Sequence, residues 1–347
     1  MRIIEIAKKA NVSPATVSRA INEPSIVAPE SLARIRQVME QHGYSPLPPS
    51  HRRGPKTRQP KLRKIGAWFV GGEASNPSLN WFQDQLMQEQ AENSRYRVDL
   101  NVIFSSTADE LPRAISERKL DGVIIQGMEP SPACLAKLQN IPYVWFMTRR
   151  SQTYAGDYVE PNNEENGQIA ADYLHAKGHK SVAVITTDSN YNALARRAAA
   201  FQTRARELGL EVHAVFGKSI SNPNYLSQMP PQEESDLLVK HITQLPRRPT
   251  GLYLPSDHFC GAVLRAFRLA GLMPKRDFEA ILGNYNPLFY HNLEHFPPVI
   301  DINRSTLVRK VVDHLAWRIE NPNTTGRIGI SVSPTLRTPE SLSASTS

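Results

Sequence analysis

The sequence predicts an α/β protein in which a small helical head precedes a larger core built around parallel β-sheets. Three observations predict this fold class. Residues 1–46 carry apolar positions at helical spacing, and from Lys64 onward short apolar strands alternate with amphipathic helices. The alternation runs through two similar halves in succession, so we expect a core of two lobes. We divide the chain into a head (residues 1–46), a linker (residues 47–64) and a core (residues 65–340).

The head is predicted to begin with two short helices joined by a tight turn. The first buries an apolar face formed by Ile3, Ile6, Ala7 and Ala10. Asn11 tolerates the left-handed conformation of a tight turn, and Ser13 followed by Pro14 predicts the start of the second helix. The outer face of this helix carries the polar side chains of Thr16, Ser18, Arg19 and Asn22. The pair is typical of a helix-turn-helix that enters the DNA major groove, although a hairpin that only closes a core has the same apolar pattern.

A third helix completes the small core of the head. It is predicted to begin at Pro29, and its apolar face is formed by Leu32, Ile35, Val38 and Met39. Gly43 ends it, because glycine readily adopts the left-handed conformation that follows a helix.

The positive charge of the chain is concentrated at its amino end. Residues 1–64 hold 13 basic and 4 acidic residues, a net charge of +9, whereas the other residues hold 28 basic and 29 acidic, a net charge of −1. A positive module attached to a neutral domain is the distribution expected of a protein that binds phosphates of nucleic acid. We therefore predict double-stranded DNA as a partner of the head.

The composition excludes several other classes of protein. With 40% hydrophobic and 21% charged residues the chain is globular in character. It has no apolar run of about eighteen residues and no basic-then-apolar leader, so we expect a cytoplasmic protein without a membrane partner. Cys134 and Cys260 lie far apart without the spacing of metal ligands, which favours a buried, reduced pair.

Motifs for catalysis are missing from the sequence. Gly71-Gly72 does not continue as a GxGxxG turn, and no GxxxxGK[ST] loop, GxSxG elbow or HExxH helix occurs. The ten histidines are scattered along the chain. We therefore expect no enzyme, no cofactor and no metal.

The elements of the core follow from its apolar periodicity. In the first half we predict strands at 65–70, 97–104, 122–125 and 143–147, and helices at 81–93, 108–119 and 133–139. In the second half we predict helices at 164–177, 193–208, 235–244 and 259–270, and strands at 181–186, 211–216, 251–254 and 279–282. A strand at 299–302 and a helix at 307–320 are predicted to follow, and with them the chain crosses back from the second half. The tail after Pro334 is polar, and we expect it to be loosely held.

The second helix of the head carries a specific string, Val12-Ser-Pro-Ala-Thr-Val-Ser-Arg-Ala-Ile-Asn22. It resembles the Val-Ser-x-x-Thr-Val-Ser-Arg-x-Leu-Asn signature of the LacI family of bacterial transcription regulators, with Ile21 in place of the leucine. The Gly43-Tyr44-x-Pro46 segment is again as that family has it. The resemblance implies a homodimer whose two heads bind the half-sites of a pseudo-palindromic operator.

The resemblance also implies which residues contact DNA. Those of the head are Ser13, Ala15, Thr16, Ser18, Arg19 and Asn22. Among them, Ala15 and Arg19 would reach base edges, and the three polar side chains of Thr16, Ser18 and Asn22 would hold phosphates.

The linker departs from the family pattern. Family members have a hinge helix here that forms on operator DNA and wedges a leucine into the minor groove, and the wedge position falls at Arg53. The segment from Leu47 to Lys56 holds too many prolines, and a glycine, for a stable helix. Its basic residues, including Arg52, Arg53 and Lys56, favour an extended arm in the minor groove, or equally a flexible linker with nonspecific phosphate attraction.

Within the core, the resemblance implies a two-lobed periplasmic-binding-protein-like fold. It rests on Val159-Glu-Pro-Asn-Asn163, on the segment from Gly167 to His179, and on the segment from Tyr253 to Gly271. Such a fold binds a small-molecule effector, here a sugar or related metabolite, in the cleft at the carboxyl ends of the strands. The predicted effector-binding residues are Trp81, Phe82, Asn162, Arg197, Asp257, Tyr285 and Asn286.

Several of these candidates have a second interpretation. Arg197 matches the arginine that grips sugar hydroxyls or a ligand carboxylate, but it could be an exposed helix arginine. Asp257 could accept hydrogen bonds from ligand hydroxyls or cap the next helix. Trp81 or Phe82 could stack on a sugar ring or belong to the core.

The last strand of the second half is followed by Gly283-Asn-Tyr-Asn286, where the family has Gly-Phe-Asp-Asp. Tyr285 therefore stands at a position where a ligand-binding aspartate is common, and the resemblance implies a less acidic pocket than in sugar-responsive members.

Together these predictions favour a sequence-specific DNA-binding transcriptional regulator, a repressor whose operator affinity changes when a small molecule binds between the lobes. Two alternatives stay open at this point. One is a regulator that is independent of any effector. The other is a solute-sensing binding module without specific DNA readout.

Overall fold

The structure is a computed structural model that describes residues 3–44, 62–71, 97–138, 140–147, 155–187, 191–217 and 232–343. The chain divides into two compact units, Met1–Gln59 and Pro60–Ser347, so the head and the two lobes of the core belong to different units. Of the predictions above, the helix at 81–93 and the linker segment at 45–61 lie outside the described residues. Among the helices that are described, none combines the length and apolar character needed to cross a membrane.

The described part of the head contains the α-helices α1 (Ile3–Ala10), α2 (Pro14–Asn22) and α3 (Pro29–Gln41). Asn11 is left-handed at φ 51°, and the N–H of Val12 donates to the carbonyl of Ala7 at 3.0 Å, so the turn between α1 and α2 closes tightly. The side chains of Ile6, Ala7, Ala10, Val17 and Ile35 form the buried core of the head. The predicted two-helix start and the third helix are therefore confirmed.

The first lobe is built on the parallel strands β1 (Leu62–Val70), β2 (Arg97–Ser105), β3 (Gly122–Gly127), β4 (Tyr143–Phe146), β5 (Asp157–Pro161) and β11 (Gly329–Val332). Within the described residues they form one sheet in the order β11-β5-β4-β3-β1-β2. The short helices α4 (Arg113–Glu117) and α5 (Pro132–Ala136) pack on one face of the sheet through Ile115 and Cys134. Helix α11 (Arg304–Glu320) packs on the other face through Leu307, Val311 and Leu315.

The second lobe has the strands β6 (Ser181–Thr186), β7 (Glu211–Phe216), β8 (Gly251–Leu254), β9 (Glu279–Leu282), β10 (Val299–Asp301) and β12 (Thr335–Arg337). Their order is β12-β10-β9-β8-β6-β7, and β12 is antiparallel to β10 while the other described pairs are parallel. The described helices of this lobe are α6 (Asn163–Ala176), α7 (Asn192–Glu207), α8 (Gln232–Thr243), α9 (Cys260–Leu269), α10 (Pro287–Tyr290) and α12 (Pro339–Ser343).

The two faces of the second sheet are covered by different helix pairs. Helices α6 and α7 pack on one face, where Leu174 and Phe201 join Tyr253. Helices α8 and α9 pack on the other, where Leu238 and Val263 join Leu252. Cys134 of the first lobe and Cys260 of the second are both buried and free, as predicted.

The chain passes between the lobes at three places in the described core. These are the junctions β5 to α6, β10 to α11, and β11 to β12. Asn303, left-handed at φ 57°, donates from Nδ2 to the carbonyl of Ser333 at 2.7 Å, and the N–H of Asn162 donates to the carbonyl of Val332 at 2.8 Å. The connection from β11 to β12 is therefore hydrogen-bonded to each of the other two.

The tail was predicted wrongly. Residues 335–337 form strand β12 and residues 339–343 form α12. Leu336 pairs with Ile300, and Arg337 Nε lies 2.9 Å from the carboxylate of Asp301. The polar composition of the tail gave no sign of this, because an edge strand is held by backbone hydrogen bonds to the neighbouring strand.

Two further differences concern the first lobe. The predicted helix at 108–119 is only Arg113–Glu117, because a residue before proline is disfavoured in the helical conformation and Pro112 follows Leu111. Strands β5 and β11 were not predicted. They are short, and β11 pairs with β5 across about half the length of the chain.

Candidate functional site

Helix α2 of the head is positioned by its first turn. Ser13 is extended (φ −72°, ψ 151°), and its Oγ accepts the N–H of Thr16 at 3.1 Å. Pro14 follows as the first helical residue, where no N–H is needed. Val17 is buried against α1 and α3 and anchors the inner face. The outer face of α2 is thereby fixed in rotation about the helix axis.

The predicted DNA-binding residues of the head lie on this outer face or at its edge. Ala15, Arg19 and Asn22 are exposed, and Thr16 and Ser18 are half-buried. The hydroxyl groups of Ser13 and Thr16 lie 2.8 Å apart, and Asn22 Nδ2 donates to Ser18 Oγ at 3.4 Å. Arg52, Arg53 and Lys56 lie outside the described residues. The DNA contacts of all these residues stay predictions.

In the core, the carboxyl ends of the two sheets face each other. The Tyr191 hydroxyl, just before α7, donates to the carbonyl of Met147, just after β4, at 3.2 Å. Nearer the connections, Arg196 Nη1 of α7 lies 2.8 Å from Glu160 Oε1 of β5. The cleft predicted from the sequence is therefore the space at these strand ends.

Arg197 is the centre of the second lobe's side of the cleft. It is only 2% exposed, so the interpretation as an exposed helix arginine is wrong. Its Nε donates to Asn163 Oδ1 at 2.8 Å, and its Nη1 donates to the carbonyl of Pro255 at 2.7 Å, to the carbonyl of Gly283 at 3.2 Å and to Asn284 Oδ1 at 2.8 Å. One guanidinium thus ties together α6, the end of β8 and the end of β9. Burial lowers the pKa of this guanidinium from its usual range.

A chain of contacts continues from Arg197 to a second arginine. Asn284 Nδ2 donates to Asp257 Oδ1 at 3.4 Å, and Arg304 Nη2 lies 3.4 Å from Asp257 Oδ2. Asp257 is 2% exposed, and its side chain does not cap α9. We call Asn163, Arg197, Asn284, Asp257 and Arg304 the Arg197 network.

Two glycines allow the network to form. A Cβ on Gly167 of α6 would lie 2.2 Å from the carbonyl oxygen of Arg197, and a Cβ on Gly283 would lie 2.4 Å from the carbonyl oxygen of Pro255. Both distances are far below a van der Waals contact, so only glycine permits these backbones to approach.

The other predicted effector residues have separate surroundings. Asn162 caps α6, since its Oδ1 accepts the N–H of Glu165 at 3.0 Å. Tyr285 is half-buried with its ring edge-on to Tyr290 at 5.3 Å, and burial, followed by the charge of Asp301, raises its pKa. Asn286 is buried, and its carbonyl accepts the N–H of Tyr290 at 2.9 Å. Trp81 and Phe82 lie outside the described residues.

Three members of the Arg197 network were not predicted. Asn163 and Asn284 are neighbours of predicted residues, and Arg304 comes three residues after β10. A signal for Arg304 existed, because it follows a strand at the edge where ligands bind in parallel sheets. It was missed because this signal alone does not single out Arg304 among the other arginines of the chain.

Family models match most of the chain. Residues 2–47 match the model of bacterial regulatory proteins of the lacI family. Residues 73–226 match the model of periplasmic binding proteins and the sugar binding domain of the LacI family, and residues 171–338 match a periplasmic binding protein-like domain. The matched segments correspond to the head and the core.

Curated proteins and solved structures agree with these matches. The HTH-type transcriptional repressor PurR of Escherichia coli is 25% identical over 337 residues, which cover 92% of each chain. The lac repressor dimer bound to operator and the anti-inducer ONPF is 17% identical with a TM-score of 0.62, over 97% of this chain and 98% of that chain. A complex of the transcriptional regulator CelR with cellobiose is 17% identical with a TM-score of 0.60, over 98% and 99%.

The sequence signature of α2, the two-lobed core and these matches lead to the same conclusion. The predicted resemblance is confirmed along nearly the whole chain. The chain belongs to the LacI family of DNA-binding transcriptional regulators, and in its sequence a helix-turn-helix head is followed by a ligand-binding core.

Proposed function

We propose that this regulator acts as a cytoplasmic homodimeric repressor. Its two α2 helices read the half-sites of a pseudo-palindromic operator, because a two-fold dimer imposes two-fold symmetry on its site. The lac repressor dimer on its operator supports this assembly as a model for the present chain. Arg19 and Ala15 contact base edges, and Thr16, Ser18 and Asn22 contact phosphates.

The DNA-binding part of the proposed function rests on the outer face of α2. Arg19 is exposed there, one turn after Ala15, on a helix whose start is fixed by the Ser13 cap. The surrounding segment, residues 1–64, carries a net charge of +9. A guanidinium on such a helix can form two hydrogen bonds to a guanine edge, while the general positive charge supplies the nonspecific attraction.

The variant Arg19→Ala tests this role, with Arg36→Ala as its matched control. Arg36 is exposed on α3 and its loss removes the same charge from the head. We expect Arg19→Ala to weaken operator binding by about 1–3 kcal/mol and to flatten base preference, with nonspecific binding nearly intact. Mobility shifts on operator and scrambled DNA at physiological salt measure both. Equal losses in the two variants, or unaltered specificity in Arg19→Ala, would contradict the proposed readout.

The core binds a small molecule in the cleft between its lobes, and the operator affinity changes with it. The Arg197 network supports this part, because polar side chains on the ends of β8 and β9 and on α6, α7 and α11 converge there. The match to a sugar binding domain and the cellobiose complex of CelR make a sugar or related metabolite the first class to test. Calorimetry with a panel of sugars and nucleosides would detect binding of the small molecule. Mobility shifts with and without that molecule would then detect its effect on operator affinity.

Two alternatives predict different outcomes of these measurements. A regulator without an effector would shift operator DNA specifically but bind no member of the panel. A solute-sensing module would bind a small molecule and show no sequence-specific shift at physiological salt.

A further inference from the structure

Arg197 is buried, and none of the carboxylates that the structure describes is hydrogen-bonded to its guanidinium. Its four described hydrogen bonds all end on neutral oxygens, namely two backbone carbonyls and the side-chain amides of Asn163 and Asn284. None of them uses Nη2. A buried guanidinium that lacks a counter-charge is costly, because neutral acceptors replace only part of the hydration that the group loses.

The closest acid of the network is already engaged. Asp257 contacts Arg304 through one oxygen and Asn284 through the other, both at 3.4 Å. Two guanidinium groups of the network therefore face a single carboxylate. Asp301, the next acid along this edge, pairs with Arg337 at 2.9 Å.

The residues that follow Asn284 and Asp257 in the sequence do not supply a negative charge either. Tyr285 follows Asn284, and burial raises the pKa of its hydroxyl, which keeps it neutral. His258 follows Asp257, and burial lowers the pKa of its imidazole, which favours the neutral ring. Among the described residues at this edge, the network thus keeps a surplus of one positive charge.

We propose that the effector is an anion, whose carboxylate or phosphate oxygens bind at the Arg197 network. The inference rests on the proposed function, in which a small molecule binds between the lobes. An anionic oxygen placed at Arg197 would act as the counter-charge of Arg197, as the carboxylate of Asp257 does for Arg304. Guanidinium groups bind carboxylate and phosphate oxygens through charge-assisted hydrogen bonds that are about twice as strong as neutral ones, so the same contact would distinguish the charged ligand from its neutral analogue.

The first experiment uses inorganic phosphate as the probe. The full chain is titrated with phosphate at an ionic strength held constant with potassium chloride, and Tm and binding heat are followed. We expect a saturable rise in Tm, with phosphate binding about tenfold weaker in Arg304→Gln. A rise no larger than that in chloride alone, or one of equal size in Arg304→Gln, overturns the proposal.

Three variants separate charge from structure. Arg196→Gln is the matched control, since Arg196 is the neighbouring arginine and pairs with Glu160 and Glu164. It should keep the phosphate response. Asn284→Asp places a carboxylate against Arg197, whose Nη1 donates to Asn284 Oδ1 at 2.8 Å, and should abolish the response in a folded protein. Arg197→Gln should abolish it too, with circular dichroism reporting whether the fold is intact, and a response retained by folded Asn284→Asp and Arg197→Gln contradicts the assignment.

The second experiment identifies the source of the charge. Calorimetry compares glucose with glucose 6-phosphate and glucuronate, so the neutral sugar, the phosphate and the carboxylate share one pyranose ring. We expect a charged member to bind more tightly than glucose, and which one it is separates phosphate from carboxylate. Glucose that binds as tightly as both overturns the anion proposal while the effector function stands. Mobility shifts of operator DNA by the same protein samples report independently whether the DNA-binding function holds.

Discussion

Arg196 and Arg197 are adjacent on α7, but their guanidinium groups have opposite surroundings. Arg196 contacts the carboxylates of Glu160 and Glu164 at 2.8 and 2.7 Å, and the hydrogen bonds that it donates to Glu164 are the main cause that raises its pKa. Arg197 turns inward, where burial lowers its pKa. Neighbouring residues on a helix point about 100° apart, so one side chain reaches the outer edge and the other the cleft floor.

At Gly167, a single added methyl group would collide with α7. The Cβ of an alanine would lie 2.2 Å from the Arg197 carbonyl oxygen and 2.7 Å from the Phe201 nitrogen, so the two helices would have to separate. We expect Gly167→Ala to lower the free energy of unfolding by about 1–3 kcal/mol or more, measured by urea denaturation.

The matched control is Gly261→Ala on α9, where the nearest atom lies 4.0 Å from the added Cβ. The same substitution should raise the free energy of unfolding there by about 0.4–1 kcal/mol, because alanine restricts the unfolded chain. A Gly167→Ala protein as stable as Gly261→Ala would show that α6 and α7 do not pack this closely.

His258 gives the second lobe a predictable response to acid. Burial lowers its pKa in the folded protein, so the unfolded chain binds a proton at higher pH than the folded chain does. The free energy of unfolding should therefore decrease as the pH falls below about 6.5, the ordinary histidine pKa. In His258→Asn this part of the slope should disappear. Urea denaturation at pH 7.5 and pH 5.5 measures it, and a slope that the substitution leaves unchanged would refute the assignment.

At the scale of elements, Asp157 joins three parts of the first lobe. From the start of β5 it accepts hydrogen bonds from His314 Nε2 and Arg318 Nε of α11, each at 2.7 Å, and from the N–H of Ile328 at 2.9 Å. The carboxylate is 4% exposed. It therefore fixes α11 against the sheet and holds the segment that leads into β11.

Asp157→Asn should lower the free energy of unfolding by about 3 kcal/mol, because it leaves the guanidinium of Arg318, which is 12% exposed, without its counter-charge. Asp172→Asn is the matched control. Asp172 is exposed on α6 and pairs with Arg204 on the surface, so its loss should change stability little. Chemical denaturation of the two variants side by side gives the comparison, and equal effects would rule out a special role for Asp157.

The elements that local residues specify were predicted well. Ser13 and Pro14 define the start of α2, and Asn11 defines the turn before it, because caps and turns depend on a few adjacent residues. Strands β11 and β12 could not be predicted, since their pairing partners come from distant parts of the chain. Strand β5, which pairs with the nearby β4 as well as with β11, was also missed. The burial of Arg197 could not be predicted from the sequence either. Nothing in its local sequence distinguishes it from Arg196.

On the scale of the whole molecule, the hydrogen bond from Tyr191 to the carbonyl of Met147 joins the lobes across the cleft. Tyr191→Phe removes it, and we expect the closed arrangement to lose about 1 kcal/mol. Small-angle scattering should then show a larger radius of gyration. Tyr143→Phe is the matched control, because Tyr143 begins β4 at the opposite end of the strand. An unchanged radius in both variants would mean that this bond does not govern closure.

The three connections between the lobes have a consequence for synthesis of the chain. The first lobe needs α11 and β11 from residues 304–332, and the second lobe needs β12 from residues 335–337. Neither lobe is therefore a continuous stretch of sequence. During translation, helices α1 to α3 can pack as soon as they emerge, but the first sheet stays incomplete until residues 329–332 have left the ribosome and the second until residues 335–337 have. The nascent core thus exposes unpaired strand edges for most of its synthesis, and it is during this period that chaperones would protect it from aggregation.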